Sequence, residues 1–186
     1  MLAYRVFPYI PGTADGLPGS PSYLHKPQGS GRLDNPAHYA VWYLASEESG
    51  AIGETFGDLP EWTDAMFIYP DLQGGRRALG TYHLPDDVPL LDLDDAKVLL
   101  QRGLRPTQVI ERNRSATQKW ALSIFDERGH QGVRLWAGVR WWSYRSPSWR
   151  ILGVWGATPT CVHVANLTTT HPAIEDAATV LSKTLL

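Results

Sequence analysis

Apolar and polar positions alternate in several short segments of the chain, a pattern typical of β-strands. The first segment is LAYRVFP near the N-terminus, which places Arg5 on one face of a predicted strand. The segment HYAVWYLAS (38–46) repeats the pattern and puts Trp42 and Tyr43 on opposite faces. Further strands are predicted in RALGTYHLP, VPLLDLDD, GVRLW, GVRWWS, WRILGVW and CVHVANL.

Other segments carry apolar residues at helical spacing and end in helix-stop residues. The predicted helices are EESGAIGETF with Ser46 as N-cap and Gly57 as stop, DDAKVLLQRG capped by Asp94 or Asp95 and ended by Gly103, a longer helix from near Thr107 to about Phe125, and HPAIEDAATVLSKTLL with Pro172 in its first turn. Many short strands with a few interspersed helices lack the strict alternation of a doubly wound fold. The pattern predicts an α+β fold.

Length and charge narrow the class of protein. A chain of 186 residues fits one domain, residues 1–186, with a core of its own. The formal net charge of −2 gives no general footprint for nucleic acid or an acidic membrane. The single cysteine, Cys161, excludes an intramolecular disulfide, and no apolar stretch approaches the ~20 residues of a membrane helix. We expect a cytoplasmic protein that contacts neither membrane nor nucleic acid directly.

Well-known signatures of catalytic sites are absent from the sequence. It contains no GxxxxGK[ST] phosphate loop, no HExxH and no GxSxG. The six histidines are scattered, and no close His and Cys cluster exists, so no metal is expected.

One passage, GRLDNPAHYAVWYLASEESGAIGETFG (31–57), spaces three polar-tipped residues at equal steps of eleven: Arg32, Tyr43 and Glu54. It follows a loop, 11–31, whose four Pro and five Gly exclude a regular element. The three residues fall on a loop, a strand and a helix, so regular periodicity does not explain the spacing. Singly, each has a plain structural interpretation: a solvated arginine, a core tyrosine and a surface glutamate.

The order of five short motifs resembles the RES-domain family, which is named for an Arg, a Glu and a Ser. The motifs are Arg5 in YRVF, Arg32 in GRL, Tyr43 in VWYLAS, Glu54 in GAIGETFG and Ser143 in GVRWWSYRSP. The resemblance spans nearly the whole chain, including the terminal HP and its apolar helix. It suggests that residues on separate elements converge on one pocket.

The resemblance implies a fold like that of ADP-ribosyltransferase toxins and a role as the toxin of a bacterial toxin–antitoxin pair. Its partner would be an Xre-type helix-turn-helix antitoxin, and toxins of this kind often self-associate, which would make a homodimer. Family members consume NAD by hydrolysis or phosphorolysis, and at least some transfer ADP-ribose to a protein. All these reactions break the bond between nicotinamide and ribose through a cation resembling an oxocarbenium ion.

Carried onto this chain, the resemblance assigns a role to each residue. Arg5 and Arg32 would hold the pyrophosphate of NAD and fix the ribose. Tyr43 would stack on nicotinamide or bond beside it, and Glu54 would bind ribose hydroxyls and stabilise the developing cation. Ser143 would orient a neighbour rather than attack, because no His is placed by sequence to activate it.

Two alternatives stay open at this point. ADP-ribose could pass to a side chain of a host protein instead of water or phosphate. Alternatively, the chain could be a non-catalytic binding module whose aromatic segment, 136–155, docks a partner through exposed Trp141 and Trp142.

Overall fold

A seven-stranded mixed sheet forms the centre of the fold in this computed structural model, which describes residues 1–186. The strands are β1 (Leu2–Tyr9), β2 (Trp42–Ala45), β3 (Arg76–His83), β4 (Leu90–Asp92), β5 (Gly138–Trp142), β6 (Arg150–Val154) and β7 (Thr160–Asn166). Their spatial order is β4-β5-β6-β2-β1-β3-β7. Only β4 and β5 run parallel, and every other neighbouring pair is antiparallel.

Five helices accompany the sheet: α1 (Glu48–Phe56), α2 (Ala96–Gln101), α3 (Pro106–Ile110), α4 (Arg114–Phe125) and α5 (Pro172–Leu181). Strands and helices do not alternate strictly, so the predicted α+β class is confirmed. Asp95 caps α2 by accepting from the Lys97 N–H at 2.8 Å, and Pro172 occupies the first turn of α5 as predicted. None of the helices has the length and apolar character needed to cross a membrane.

Alternation along the strands builds one core on each face of the sheet. The larger core contains the buried faces of α1, α4 and α5, with Ile52, Phe56 and Ile174 fully buried. Tyr43 packs against this core, whereas its neighbour Trp42 belongs to a smaller core on the other face together with Tyr82. The two faces of β2 therefore contact different cores, and side chains on one face point away from those on the other.

The predicted helix from Thr107 to Phe125 is wrong, because two helices with a break at 111–113 take its place. Asn113 leaves the helical conformation and caps α4 by accepting from the Ala116 N–H at 3.2 Å. A continuous helix from Thr107 to Phe125 would have placed Asn113 on the same face as Val109, Ala116 and Trp120. Asn is among the residues that favour an N-cap over a helix interior, which accounts for the break.

Three smaller predictions also need correction. GVRLW is not a strand: Gly132 takes a left-handed φ of +76° in a turn, and Val133 and Leu135 are exposed. Ser46 does not cap α1, because the N-cap position is Glu47. The Ser46 backbone N–H instead extends the sheet ladder by donating to the Arg150 carbonyl. The strand predicted over 38–46 shortens to β2, because residues 35–39 form a turn instead.

Candidate active site

A cavity of about 350 Å³ opens beside β1, β2 and α1 on the face of the sheet that carries the larger core. Its size falls at the lower end of ligand pockets in proteins. Arg32, Tyr43 and Glu54 all line it, so the three equally spaced residues meet around one space. Arg32 comes from the loop before β2, Tyr43 from β2 and Glu54 from α1.

The Arg32 guanidinium is anchored to the end of α3. One of its nitrogens donates to the Val109 carbonyl and the other to the Ile110 carbonyl at 3.5 Å, while the group lies 5.9 Å from the Trp141 ring centroid. Burial lowers the pKa of Arg32, and the nearby Arg114 cation lowers it further. The guanidinium stays charged, because arginine remains protonated in proteins, and it supplies a fixed cation at the cavity wall.

The hydroxyl of Tyr43 holds the loop that carries Arg32. It donates to Asp34 Oδ1 at 2.7 Å and accepts from the Leu33 N–H at 2.9 Å. Burial raises the pKa of Tyr43, and the bond to the Asp34 carboxylate raises it further. With its hydroxyl engaged, Tyr43 has its ring left to contact a ligand. Of the two predicted uses, the arrangement favours stacking over a hydrogen bond.

Asp34 completes this loop and was missed at the sequence level. Its side chain is buried, and its second carboxylate oxygen accepts from the Gly31 N–H at 2.7 Å. Gly31 leaves no room for a side chain, since a Cβ there would collide with both the Tyr43 hydroxyl and the Asp34 carboxylate. The turn-forming sequence DNP just after GRL was the available signal for a structured loop.

Glu54 and Ser143 form a hydrogen-bonded pair across two elements. Ser143 Oγ donates to Glu54 Oε1 and accepts from the Arg145 N–H at 3.0 Å. Ser143 is 1% exposed, whereas the Glu54 side chain faces the open space. A buried hydroxyl that does not line the cavity cannot reach a substrate atom. The geometry fits the predicted orienting role of Ser143 on the carboxylate.

The structure does not bring the Arg5 guanidinium into this cavity. The guanidinium lies 5.0 Å from the Trp42 ring centroid and donates to the Tyr23 carbonyl at 3.2 Å. Trp42 belongs to the smaller core, so the Arg5 side chain is on the face opposite Tyr43. Burial lowers the pKa of Arg5. Although Arg5 borders the cavity along β1, its predicted contact with the pyrophosphate is not supported by this arrangement.

Several residues around the cavity were not assigned to it from the sequence. Trp141 and the exposed Arg114 line its wall, and Arg145 and Asp58 form an ion pair of 2.8 Å that also borders it. Arg145 lies two residues after Ser143 in WWSYRSP, and this proximity was the one signal that could have found it.

The tryptophans of segment 136–155 do not form an exposed patch. Trp141 and Trp149 are each 3% exposed, and the other three in the segment are half-buried against the larger core. The observation that would have favoured a docking surface is therefore missing. No group of three or more His, Cys, Asp or Glu residues lies close enough together to hold a metal ion.

Comparison with known proteins identifies the family of the chain. A search of curated proteins found no match. The family model of the RES domain matches residues 3–175, which is nearly the whole chain and includes every residue of the cavity wall. The chain therefore belongs to the RES-domain family.

Proposed function

We propose that this protein cleaves NAD at the bond between nicotinamide and ribose, and that it acts as a toxin restrained by an Xre-type helix-turn-helix antitoxin. Its family is associated with toxin–antitoxin systems and with the use of NAD. The cleavage and the identity of the partner are our proposals.

The observation that carries the proposal is the Glu54 carboxylate, held by Ser143 at the edge of a cavity that also contains the Arg32 guanidinium. Cleavage of the glycosidic bond develops positive charge on the ribose. A fixed carboxylate beside that charge stabilises the transition state, and one well-placed group of this kind contributes ~3 to 4 kcal/mol. Because Ser143 holds the carboxylate in place beforehand, little reorganisation is needed during the reaction.

The remaining wall suits the other parts of NAD. Arg32 offers a guanidinium to a phosphate, and its attachment to the end of α3 limits its motion. The rings of Tyr43 and Trp141 offer aromatic surface to nicotinamide. In the reaction the electron pair of the broken bond leaves with nicotinamide, which departs neutral. The acceptor bonds to the anomeric carbon and loses a proton.

The test is nicotinamide release from NAD by the purified protein, with and without phosphate. Glu54→Gln keeps the size of the side chain and removes its charge, so we expect release to fall to near the background rate. Glu48→Gln is the matched control, because Glu48 lies in the first turn of the same helix and does not line the cavity. We expect the control to retain activity.

The conditions under which nicotinamide is released identify the acceptor of ADP-ribose as phosphate, water or a protein. Release that requires phosphate indicates phosphorolysis, and release without it indicates hydrolysis. Release that begins only after a target protein is added indicates ADP-ribosyl transfer. Full release by a folded Glu54→Gln variant would contradict the role of Glu54.

The toxin role has its own test. Expression of the chain in bacteria should arrest growth, while expression of Glu54→Gln should not. Co-expression of a candidate Xre-type protein should restore growth and co-purify with the chain. Arrest by the Glu54→Gln variant at equal expression would separate toxicity from NAD cleavage and overturn the link between them.

A further inference from the structure

Arg145 is a nearly buried cation whose ion-pair partner, Asp58, is an exposed carboxylate. The Arg145 side chain is 9% exposed, whereas Asp58, which it contacts at 2.8 Å, is 75% exposed. In addition, the Nε–H of Arg145 is buried without any hydrogen-bond partner. A guanidinium so placed has unused donor capacity, which usually indicates a missing acceptor.

The local backbone makes room for this guanidinium. Gly57, the C-cap of α1, lies against it, and a Cβ at this position would collide with the Arg145 side chain. The backbone N–H of Arg145 also donates to Ser143 Oγ, which holds Glu54. Arg145 is therefore fixed relative to the carboxylate that the proposed reaction needs.

Charge in the cavity favours an anion next to Arg145. Arg5 also borders the cavity, but its guanidinium lies against Trp42. The other guanidinium groups are those of Arg32, Arg114 and Arg145, against the two carboxylates of Glu54 and Asp58. Arg114 has no ion pair or side-chain hydrogen bond within the protein. If Asp58 turns outward, the formal charge of the wall rises from +1 to +2, which balances the two negative charges of a diphosphate bridge.

We propose that Arg145 and Arg114, together with Arg32, form the subsite for the diphosphate of a dinucleotide, and that Asp58 occupies Arg145 as an internal counterion which the substrate displaces. The inference rests on the proposed function and replaces the predicted contact of Arg5. Asp58 follows the end of α1 and is exposed. Its other contacts are long and exposed, to Arg112 at 3.8 Å and to the Tyr144 hydroxyl at 3.4 Å, so it can turn into water at little cost. The Arg145 bond to Asp58 also lowers the pKa of that carboxyl, which keeps Asp58 ionised and able to compete with phosphate.

The experiment measures binding of inorganic pyrophosphate, ADP-ribose and adenosine to the full chain by calorimetry at low salt. The variant Asp58→Asn removes the counterion and should bind pyrophosphate and ADP-ribose about 1.4- to fivefold more tightly, the range of an exposed ion pair. Adenosine, which lacks phosphate, should bind equally to both proteins. The gain should shrink at high salt, because exposed charges are screened.

Glu61→Gln is the matched control. It makes the same change in net charge three residues away, at an exposed side chain that does not line the cavity. The control should leave all three affinities unchanged, so a gain in Asp58→Asn alone would be local to Arg145. Arg145→Lys should weaken pyrophosphate and remove the gain in the double variant with Asp58→Asn, since a point charge does not replace the two-pronged fork.

Unchanged or weaker pyrophosphate binding by Asp58→Asn would overturn the proposal, as would an equal gain in Glu61→Gln. The absence of measurable pyrophosphate binding by all variants would overturn it too. Failure of the proposed function has a different signature: pyrophosphate binding with the expected gain, but no nicotinamide release from NAD by the unmodified protein.

Discussion

Replacing Ser143 by alanine tests the assignment of an orienting rather than a nucleophilic role. The change removes a hydroxyl that is 1% exposed, donates to Glu54 and accepts from the Arg145 N–H. It does not alter the Glu54 carboxylate itself. The alanine should therefore loosen the position of Glu54 without removing its charge.

The magnitude follows from the kind of hydrogen bond that is lost. A bond to a charged group contributes ~1.5 to 3 kcal/mol. If that energy is fully expressed in the transition state, kcat/KM for nicotinamide release should fall by roughly 10- to 150-fold, at ~1.4 kcal/mol for each tenfold. The Arg145 N–H also loses its acceptor, so the free energy of unfolding should fall by about 1 kcal/mol.

The assay is steady-state nicotinamide release, with chemical denaturation of the same samples. Ser146→Ala is the matched control, because Ser146 is a buried serine in the same turn whose hydroxyl pairs with Ser148 at 2.8 Å and does not reach Glu54. The control should keep its rate. Full activity of a folded Ser143→Ala protein would refute the orienting role, and a loss as complete as that of Glu54→Gln would indicate that the hydroxyl takes part in the chemistry.

Two further predictions concern Arg32 and the two tyrosines, Tyr39 and Tyr43, whose hydroxyls bond to Leu33 in the loop that carries Arg32. Arg32→Lys should raise KM for NAD strongly, because a single ammonium cannot bond to both α3 carbonyls and still present a planar face to phosphate; an unchanged KM and kcat would contradict this. At alkaline pH the half-buried Tyr39 and Tyr43 should destabilise the fold. Burial raises the pKa of Tyr39 to about 12 and also raises that of Tyr43, so the contribution of each tyrosine is complete below the ordinary value near 10. The contribution of Tyr39 is lost as pH rises through about 12. Stability from denaturation should be level up to about pH 9 and fall above pH 10 by at most ~1.4 kcal/mol per pH unit for each group, less steeply in Tyr39→Phe; an unchanged slope in that variant would oppose the assignment.

Local patterns predicted much of the fold. Alternation located five of the seven strands closely, and β2 and β4 within longer segments, since half-buried strands impose a period of two on their side chains. It placed Trp42 and Tyr43 on opposite faces, as the two cores show. The same alternation places the Arg5 side chain on the face of β1 opposite to those of Tyr4 and Val6. Sequence alone does not show which face of the sheet carries the cavity, because this depends on the face against which α1, α4 and α5 pack.

The site residues that follow a regular spacing in the sequence could be predicted. Those that are brought together only by tertiary contacts could not. The equal spacing of Arg32, Tyr43 and Glu54 indicated three separate elements, and the cavity joins them. The pairing of Asp58 with Arg145 joins positions far apart in the chain, and no local pattern marks it. Asp34 was missed for a related reason, because an acidic residue in a turn sequence usually faces water. Here the Tyr43 hydroxyl and the Gly31 N–H donate to its carboxylate, and these two hydrogen bonds offset the cost of burial.

The break between α3 and α4, which the sequence did not predict, supplies the carbonyl acceptors that hold Arg32. In a continuous helix the carbonyls of Val109 and Ile110 would accept from the N–H groups four residues on. Both carbonyls would then lie within the helical ladder, and Arg32 would lose the acceptors that fix its guanidinium. The interruption at 111–113 releases them, and Asn113 restores α4 by capping it. Because Arg114 begins α4 just after this break, the same interruption both anchors one cavity arginine and positions a second.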